Sequence, residues 1–392
     1  MEKNKNNTPV LRFPEFEGEW ERKRLGEVVT NKSGKYNPEK ENNFIKCIEL
    51  EHIEPESGLL LGFIDGSKSG SIKNKFEKGD VLFGKLRPYL KKHLKAPFDG
   101  VCSSEIWVLK GINTSNEFLY RIVQTDKFID LANQSSGSKM PRADWSVVEK
   151  GIIFFPTLPE QQKIAAFFTA IDKKLQGLKE KKSLLEAYKK GVMQQLFAQE
   201  IRFKNAEGGD FEDWEVRRFG EVVTNKSGKY NPENENGFIK CIELEHLTSE
   251  SGQLLGYING SNSGSIKNKF KKGDVLFGKL RPYLKKYLQA PFDGVCSSEI
   301  WVLKGIGISN DFLYRLVQTN NFIDLANQSS GSKMPRADWS VVENGIFFIP
   351  SLPEQTLIAD YLSALDAKIA GVSGQIGAME AWKKGLLQNM FV

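Results

Sequence analysis

The sequence predicts an α+β chain in which one globular domain occurs twice and each copy is followed by a long helix. The first observation is an internal repeat. Every residue from Trp20 to Leu158 aligns with the residue 194 positions later without insertion or deletion, and about 114 of these 139 positions are identical. The second is a mixture of strand and helix patterns within each copy, and the third is a heptad stripe of apolar residues after it. Because this period is far too long for a solenoid, we predict two whole domains.

Strand, helix and loop patterns alternate within the repeated domain. Apolar segments bounded by Gly or Asn predict strands at 44–50, 79–84 and 102–110. A helical apolar period predicts a helix over 115–132, with Ser115 as its N-cap. Gly, Ser and Lys dominate the predicted loops at 31–37, 66–75 and 133–145, and the predicted linker between the copies is 198–213.

A long helix is predicted after each copy. Thr157 and Glu160 have the spacing of a capping box, which recurs as Ser351 and Glu354, and a proline falls in each first turn. Apolar residues then recur in steps of three and four, which predicts helices that pack on each other or on a partner. The first stripe runs over 164–196 and is interrupted by Lys182 and Lys189. The second runs over 358–379 and is interrupted by Lys383 where its period continues beyond 379. The interruptions argue against a perfect two-stranded seam.

Composition narrows the classes of protein that the sequence can encode. With 40% hydrophobic and 27% charged residues the chain can bury real cores, which excludes a wholly disordered chain. The net charge of +6 is compatible with a polyanionic partner without being diagnostic of one. No apolar run reaches the roughly 18 residues of a membrane span, and the first residues lack the apolar core of a signal peptide. The four cysteines form no CxxC pair, so we predict a soluble cytoplasmic protein with buried, reduced thiols.

Motifs for catalysis and metal binding are weak. The segment GDVLFGKL is a near miss to the phosphate-binding P-loop, but Leu86, and Leu280 in the second copy, stand where a hydroxyl must bind Mg²⁺. His52 recurs as His246 whereas His93 has no counterpart, so no histidine-based metal site is visible. No methyltransferase, nuclease or nucleophile constellation is found either. We therefore predict no catalytic residue, metal or cofactor on this chain.

Basic and hydroxyl side chains concentrate in the loops. The segment KLRPYLKK at 85–92 combines four cations with a tyrosine, and SKMPR at 138–142 follows two serines and a glycine. Lys and Arg neutralise phosphates, while Ser and Arg hydrogen-bond base edges, so these loops are candidate DNA contacts; a solvated charged face is the alternative. The candidates in the first copy are Lys32, Lys35, Tyr36, Lys73, Lys75, Lys85, Arg87, Tyr89, Lys91, Lys92, Ser136, Ser138, Lys139 and Arg142. The candidates in the second copy are Lys226, Lys229, Tyr230, Lys267, Lys269, Lys279, Arg281, Tyr283, Lys285, Lys286, Ser330, Ser332, Lys333 and Arg336.

Four motifs occur in the same order in each copy: W-E-x-x-x-L/F-G-E-V, GDVLFGKLRPYL, SSGSKMPRADW, and P-x-L-P-E-Q-x-x-I-A leading into the long helix. With its motifs in this order, the chain resembles the specificity subunit of Type I restriction-modification enzymes. The resemblance occurs twice and covers essentially the whole chain. The resemblance implies two target recognition domains, at 1–157 and 201–351, each reading one half of a bipartite DNA site. It also implies two antiparallel spacer helices, at 158–200 and 352–392, that dock methyltransferase subunits. The near identity of the two recognition domains departs from the dissimilar pair that most relatives carry.

The same resemblance places the chemistry on other chains. It implies two methyltransferase subunits and restriction subunits as partners, with S-adenosylmethionine, Mg²⁺ and ATP bound by them and none by this chain. Apolar residues outside the seam are then expected to bind the methyltransferases: Phe167, Leu184, Tyr188, Met193 and Trp382. The rival interpretations are an NTP-using enzyme and a coiled-coil scaffold whose globular domains bind protein rather than DNA.

Symmetry follows from the repeat itself. Two identical domains joined by helices that run in opposite directions become related by a pseudo-twofold axis, so identical readers engage inverted half-sites. The first long helix is followed by IRF at 201–203, whereas the second meets Val392, and LRF occurs instead at 11–13. We therefore predict a cyclic arrangement in which the two ends of the chain lie close together.

Overall fold

The chain forms two compact units, Met1–Glu180 with Ser373–Val392 and Lys181–Val372. The structure is a computed structural model, which describes residues 7–41, 43–134, 140–235, 237–328 and 334–392. Each unit holds one copy of the repeat, the first part of one long helix and the last part of the other.

The first unit contains the elements of the first copy. Its strands are β1 (Glu21–Arg24), β2 (Val29–Thr30), β3 (Lys35–Tyr36), β4 (Lys46–Ile48), β5 (Ile64–Asp65), β6 (Lys73–Phe76), β7 (Val81–Gly84), β8 (His93–Lys95), β9 (Gly100–Cys102), β10 (Ile106–Gly111) and β11 (Ile152–Phe155). Its helices are α1 (Leu25–Val28), α2 (Asn116–Ile122), α3 (Asp126–Asn133), α4 (Trp145–Val148) and the first part of α5 (Leu158–Phe197). Short 3-10 turns occupy Leu50–His52, Gly66–Lys68 and Pro88–Leu90.

The second unit repeats these elements. Its strands are β12 (Glu215–Arg218), β13 (Val223–Thr224), β14 (Lys229–Tyr230), β15 (Lys240–Ile242), β16 (Ile258–Asn259), β17 (Lys267–Phe270), β18 (Val275–Gly278), β19 (Tyr287–Gln289), β20 (Gly294–Cys296), β21 (Ile300–Gly305) and β22 (Ile346–Ile349). Its helices are α6 (Phe219–Val222), α7 (Asn310–Leu316), α8 (Asn320–Asn327), α9 (Trp339–Val342) and the first part of α10 (Leu352–Asn389). Its 3-10 turns are Leu244–His246, Gly260–Asn262 and Pro282–Leu284.

The described residues of each unit form three sheets of the same design. In the first unit their strand orders are β1-β11, β2-β10-β7-β8 and β3-β6-β9-β4-β5, and the second unit repeats all three orders. Most of the described strand pairs are antiparallel, whereas β4 pairs with β9 in parallel. The sheets and the long helices confirm the predicted α+β class with two repeated domains.

The predicted strands and the predicted helix are shorter in the structure. The segment 102–110 is two strands, β9 and β10, separated by a turn at 103–105. The helix predicted over 115–132 is two helices, because Thr125 caps the second: its hydroxyl accepts from Phe128 N at 3.3 Å and donates to Ile122 O at 2.7 Å. A hydroxyl that bonds local backbone in this way competes with helix continuation.

A buried carboxylate joins each domain to its long helix. Glu160, 1% exposed, accepts from Trp20 Nε1 at 3.1 Å and from Arg12 Nε at 2.7 Å. Glu354 accepts in the same way from Trp214 Nε1 at 3.0 Å and from Arg202 Nε at 3.1 Å.

The capping boxes predicted from these glutamates are wrong. Both carboxylates are committed to Trp and Arg side chains. Ser351 Oγ is among the buried polar atoms that have no hydrogen-bond partner in the described part of the chain. Glu160 and Glu354 therefore anchor the domains instead of closing the helix N-termini.

The two long helices run antiparallel within each unit, because residue numbers rise along one helix as they fall along the other. In the first unit Asp172 of α5 accepts from Lys383 of α10 at 2.8 Å, and Lys179 pairs with Glu380 at 2.8 Å. In the second unit Lys189 of α5 pairs with Asp366 of α10 at 2.6 Å. Two of the lysines that interrupt the apolar stripes thus form interhelical ion pairs.

Described residues near the two ends of the chain contact each other in the first unit. Leu11 N donates to Asn389 O at 2.9 Å, and Phe391 stacks on Phe118 with ring centroids 5.4 Å apart. In the second unit Phe197 occupies the equivalent place, 5.6 Å from Phe312. This confirms the predicted proximity of the two ends. No helix among the described residues is long and apolar enough to cross a membrane.

One buried histidine distinguishes the first unit from the second. His93 is 2% exposed; its Nδ1 donates to Lys91 O at 2.8 Å, and its Nε2 has no hydrogen-bond partner among the described residues. Burial lowers the pKa of His93 to about 4. The second copy has Tyr287 there, whose hydroxyl donates to Glu250 O at 2.5 Å.

We expect His93 to make the full chain acid-sensitive. Unfolded His93 takes a proton near its ordinary pKa while the folded residue stays neutral, so stability falls as pH drops. The expected loss between pH 6.5 and 4.5 is about 2–3 kcal/mol. Denaturant unfolding at a series of pH values checks this, with His93→Tyr as the variant that the second copy already tolerates. An unchanged acid dependence in His93→Tyr would contradict the assignment.

Candidate nucleic-acid interface

The basic turn between β7 and β8 has a specific and unusual backbone. Arg87 and Lys91 flank the 3-10 turn with left-handed φ values of 52° and 50°. Arg281 and Lys285 repeat them at 52° and 47°. Residues other than glycine hold this conformation at a cost of roughly 1–3 kcal/mol, and such strain is concentrated at functional sites. Arg87 and Tyr89 are exposed at the turn.

The second polar loop lies directly beside this turn. Arg87 N donates to Pro141 O at 2.7 Å, and Ala143 N donates to Lys85 O at 2.8 Å. Between these bonds Leu86 and Arg142 form an antiparallel bridge. Two segments that are separated by about fifty residues in sequence are therefore joined into one surface.

A third predicted segment is linked to the basic turn by a chain of hydrogen bonds through the buried Asn74. Lys35 Nζ donates to Asn74 Oδ1 at 2.5 Å, and Asn74 Nδ2 donates to Ile106 O at 2.9 Å. The preceding carbonyl, that of Glu105, accepts from Lys85 N at 2.9 Å. We call Lys35, Lys85, Arg87 and Arg142 the basic surface of the first unit. The second unit has the same surface, formed by Lys229, Lys279, Arg281 and Arg336.

Two candidates in each copy are buried. Tyr36 is 2% exposed and its hydroxyl donates to Glu41 O at 2.5 Å. Lys73 is 5% exposed and pairs with Glu49 at 2.6 Å. Side chains held inside the domain cannot reach a duplex, so the structure does not support these two as DNA contacts. The same holds for their copies, Tyr230 and Lys267.

Three further lysines are bound within the protein. Lys75 pairs with Glu41 at 2.9 Å, Lys91 pairs with Asp126 at 3.0 Å, and Lys92 Nζ donates to Leu50 O at 2.6 Å. Exposed ion pairs contribute only about 0–1 kcal/mol, so Lys75 and Lys91 can exchange their carboxylates for phosphates. Their copies are bound similarly: Lys269, Lys285 and Lys286.

The remaining candidates are exposed or lie beyond what the structure describes. Lys32 and Lys226 are exposed in the loops that precede β3 and β14. Tyr89 and Tyr283 are each 52% exposed. The candidates outside the described residues are Ser136, Ser138, Lys139, Ser330, Ser332 and Lys333. DNA contact by the exposed candidates and by those outside the described residues is not tested by the fold and stays a prediction.

Comparison with known proteins identifies the family of this chain. The family model of the Type I restriction modification DNA specificity domain matches residues 17–187 and 211–378. The chain belongs to this family. It carries two copies of the specificity domain, and its function is DNA sequence recognition as a Type I specificity subunit.

Several individual proteins are similar to this chain. The EcoDI specificity subunit of Escherichia coli is 23% identical over 412 residues, covering 95% of this chain and 87% of that protein. The MjaIX specificity subunit of Methanocaldococcus jannaschii is 25% identical over 317 residues, covering 75% and 69%. Among solved structures, the S subunit of a Type I system from M. genitalium matches with TM-score 0.60 at 14% identity, covering 98% of this chain and 99% of that one. A chain from a structure on complex assembly of the type I R-M system matches with TM-score 0.59 at 21% identity, covering 95% and 96%.

Sequence patterns missed one residue at the centre of each specificity domain's basic surface. Glu105 lies in the turn between β9 and β10, inside the segment predicted as one strand. Its carboxylate Oε2 accepts from Arg142 Nε at 3.0 Å, and Glu299 accepts from Arg336 Nε at the same distance. The two serines before Glu105 were the available signal for a turn.

The predicted partner-binding residues lie on the helices of the two units. Leu184, Tyr188 and Trp382 are 64%, 53% and 51% exposed, whereas Phe167 and Met193 are partly buried against the cores of their units. Phe13, Phe167 and Trp382 form an aromatic cluster. The ring centroids of Phe13 and Phe167 are 5.5 Å apart, and those of Phe167 and Trp382 are 6.1 Å apart.

The second unit has an equivalent aromatic cluster. Phe203 lies 5.7 Å from Tyr361, and the Tyr361 and Tyr188 hydroxyls are hydrogen-bonded at 2.9 Å. In both clusters one aromatic residue comes from α5, one from α10 and one from the LRF or IRF segment. The repeat thus extends to the helix surface as well as to the specificity domains.

The specificity domains contain four cysteines, two in each domain. The cysteines are buried, and burial raises the pKa of Cys47 to about 12 and that of Cys102 further still. No group of three or more His, Cys, Asp or Glu residues among those described could hold a metal ion.

Proposed function

We propose that this chain is a non-catalytic subunit that binds a bipartite DNA site, one half-site to each specificity domain. The observation that carries the proposal is the basic surface, which is assembled from three loops and reproduced in both units with the same hydrogen bonds. Cations in such an arrangement neutralise phosphates and hold the protein in register on the duplex.

The basic residues of each specificity domain fall into two groups, those that contact the DNA backbone and those that contact bases. Lys85, Arg87, Lys91 and Lys92 contact mainly phosphates, since they are cations from one basic turn. Ser138, Lys139 and Arg142 lie closer to bases, where Ser and Arg can hydrogen-bond base edges. The second specificity domain has the same residue types and reads the same bases.

The half-sites form an inverted repeat in this proposal. Both basic surfaces present identical contact residues, so both half-sites have the same sequence. The two long helices run in opposite directions within each unit, which supports half-sites of opposite polarity.

Methyl transfer and ATP-dependent cleavage are assigned to other chains. Two methyltransferase subunits dock on the two aromatic clusters, one on each, and restriction subunits join them in the cytoplasm. S-adenosylmethionine, Mg²⁺ and ATP are bound by those partners. The similarity to a structure of complex assembly in a type I R-M system supports this, as does the exposure of Leu184 and Trp382.

Sequencing native DNA for methylated bases tests the proposed function directly. In cells that express this chain with its methyltransferase, we expect methylation at one motif, an inverted repeat whose halves are separated by a non-specific spacer. Cells without this chain should lack that motif, which is the control. Two unrelated half-sites would contradict the inverted repeat, and methylation that does not depend on the chain would contradict DNA recognition altogether.

A further inference from the structure

We propose that Glu105, and Glu299 in the second unit, is a positioning residue for sequence readout, acting through Arg142 and Arg336. This inference rests on the proposed function and adds to it an acidic residue at the centre of each basic surface. Neither glutamate is among the candidates that basic patterns can identify.

Glu105 connects both halves of the basic surface by two different groups. Its backbone carbonyl accepts from Lys85 N at 2.9 Å, at the start of the basic turn. Its carboxylate Oε2 accepts from Arg142 Nε at 3.0 Å, on the neighbouring loop. Its own backbone N donates to Ser103 Oγ at 3.4 Å, which fixes the turn. The second unit repeats the first two distances at 2.9 and 3.0 Å for Glu299.

The Glu105 carboxylate by itself disfavours the binding of a polyanion, so its presence in the basic surface needs another physical reason. A negative charge within the basic surface repels phosphates and weakens the non-specific attraction that Lys85 and Arg87 provide. An arginine held at Nε, however, has the plane of its guanidinium set before DNA arrives. Ordering that side chain then costs less on binding, and its geometry discriminates between base edges.

Another ion pair of the same domain provides a matched control for this one. Glu77 pairs with Lys110 at 3.3 Å. The second copy has Lys271 in place of Glu77, so that pair is not reproduced. The Glu105–Arg142 pair is reproduced to the same distance, with the arginine about half exposed in both units. Exposure places the arginine where a DNA base can meet it.

Selection from a randomised DNA library, using the full chain with its methyltransferase partner, tests the inference. We expect Glu105→Ala to reduce discrimination about tenfold at the base position read by Arg142, in one half-site alone. The selected site should then lose its inverted symmetry at that position. Affinity for non-specific DNA should stay level or rise, because a negative charge is removed. Glu105→Gln should restore most of the discrimination, since the amide oxygen still accepts from Nε.

Matched variants separate positioning from simple stabilisation. Arg142→Ala should relax the same base position, and the double variant should be no worse than either single one. Glu77→Gln, the control, should leave the base preference of both half-sites unchanged. If the wild-type chain shows a sequence preference and Glu105→Ala leaves that preference unchanged, the inference about Glu105 is overturned while the proposed function stands. A wild type without any sequence preference would overturn the proposed function and the inference together.

Discussion

Replacing Glu160 with Ala should destabilise the chain by about 3–5 kcal/mol, among the largest effects that one side chain can have here. The carboxylate is 1% exposed and is shared by Trp20 and Arg12, which come from the segment before β1. Removing it leaves the indole N–H of Trp20 without an acceptor and takes the carboxylate away from the Arg12 guanidinium, which keeps only the carbonyl oxygens of Gly18 and Glu17. Both groups were desolvated on folding, so their desolvation cost remains while their hydrogen bonds to Glu160 are lost.

Denaturant unfolding of the full chain measures this effect, and hydrogen exchange locates it. Exchange should rise around Trp20 and the first turns of α5. The matched control is Glu15→Ala, which removes an exposed partner of Lys163 at 3.1 Å and should cost no more than about 1 kcal/mol. Glu354→Ala should reproduce the large effect in the second unit, around Trp214. Equal losses of unfolding free energy for Glu160→Ala and Glu15→Ala would show that the buried carboxylate stabilises the chain no more than an exposed ion pair does.

The architecture was predictable because its signals are long. A repeat at one fixed offset defines two domains, and apolar stripes of more than twenty residues define the two helices. Boundaries were not predictable to the same degree, since they depend on single side chains. Thr125 divides one predicted helix, and a turn at 103–105 divides one predicted strand. Both departures arise where a polar side chain or turn competes with the regular backbone pattern.

The basic surface was predictable in part for a related reason. Residue type identified its cations, but β3 has only two residues and β6 only four, too few for an alternation pattern to show which lysines face inward. Lys73 is buried while Lys75, two residues further along β6, is exposed, so simple alternation would have grouped them wrongly. Glu105 was not predictable, because its partner Arg142 lies 37 residues away and the pairing exists only in the folded domain.

The interrupted stripes of the long helices follow the same logic. Lys189 and Lys383 look like defects in a seam when each helix is considered alone. In each unit the opposite helix supplies the carboxylate, Asp366 or Asp172, and an arginine of the specificity domain joins it: Arg315 or Arg121. A pair that links helix to helix and helix to domain constrains the helix register, as polar groups at a packed interface do in coiled coils.

Charging the exposed face of α5 in the second unit should abolish the binding of one methyltransferase subunit. The variant carries Leu184→Glu and Tyr188→Glu; these side chains are 64% and 53% exposed, so the fold should survive. Tyr188 belongs to an aromatic cluster, the kind of group that dominates binding energy at protein interfaces. Two buried carboxylates without partners would cost more than such an interface gains. Native mass spectrometry of the chain with excess methyltransferase should give one bound copy in place of two.

The equivalent cluster of the first unit provides the matched control. Trp382→Glu should remove the other methyltransferase subunit and leave the one at Tyr188, because Trp382 packs with Phe167 and Phe13 in the first unit. Combining the three substitutions should leave a chain that binds no methyltransferase and still unfolds at the wild-type denaturant concentration. Two bound copies in every variant would exclude both clusters as docking surfaces while leaving DNA recognition intact. Because the two clusters are assembled from the same elements with the roles of α5 and α10 exchanged, they should act as independent sites of similar affinity.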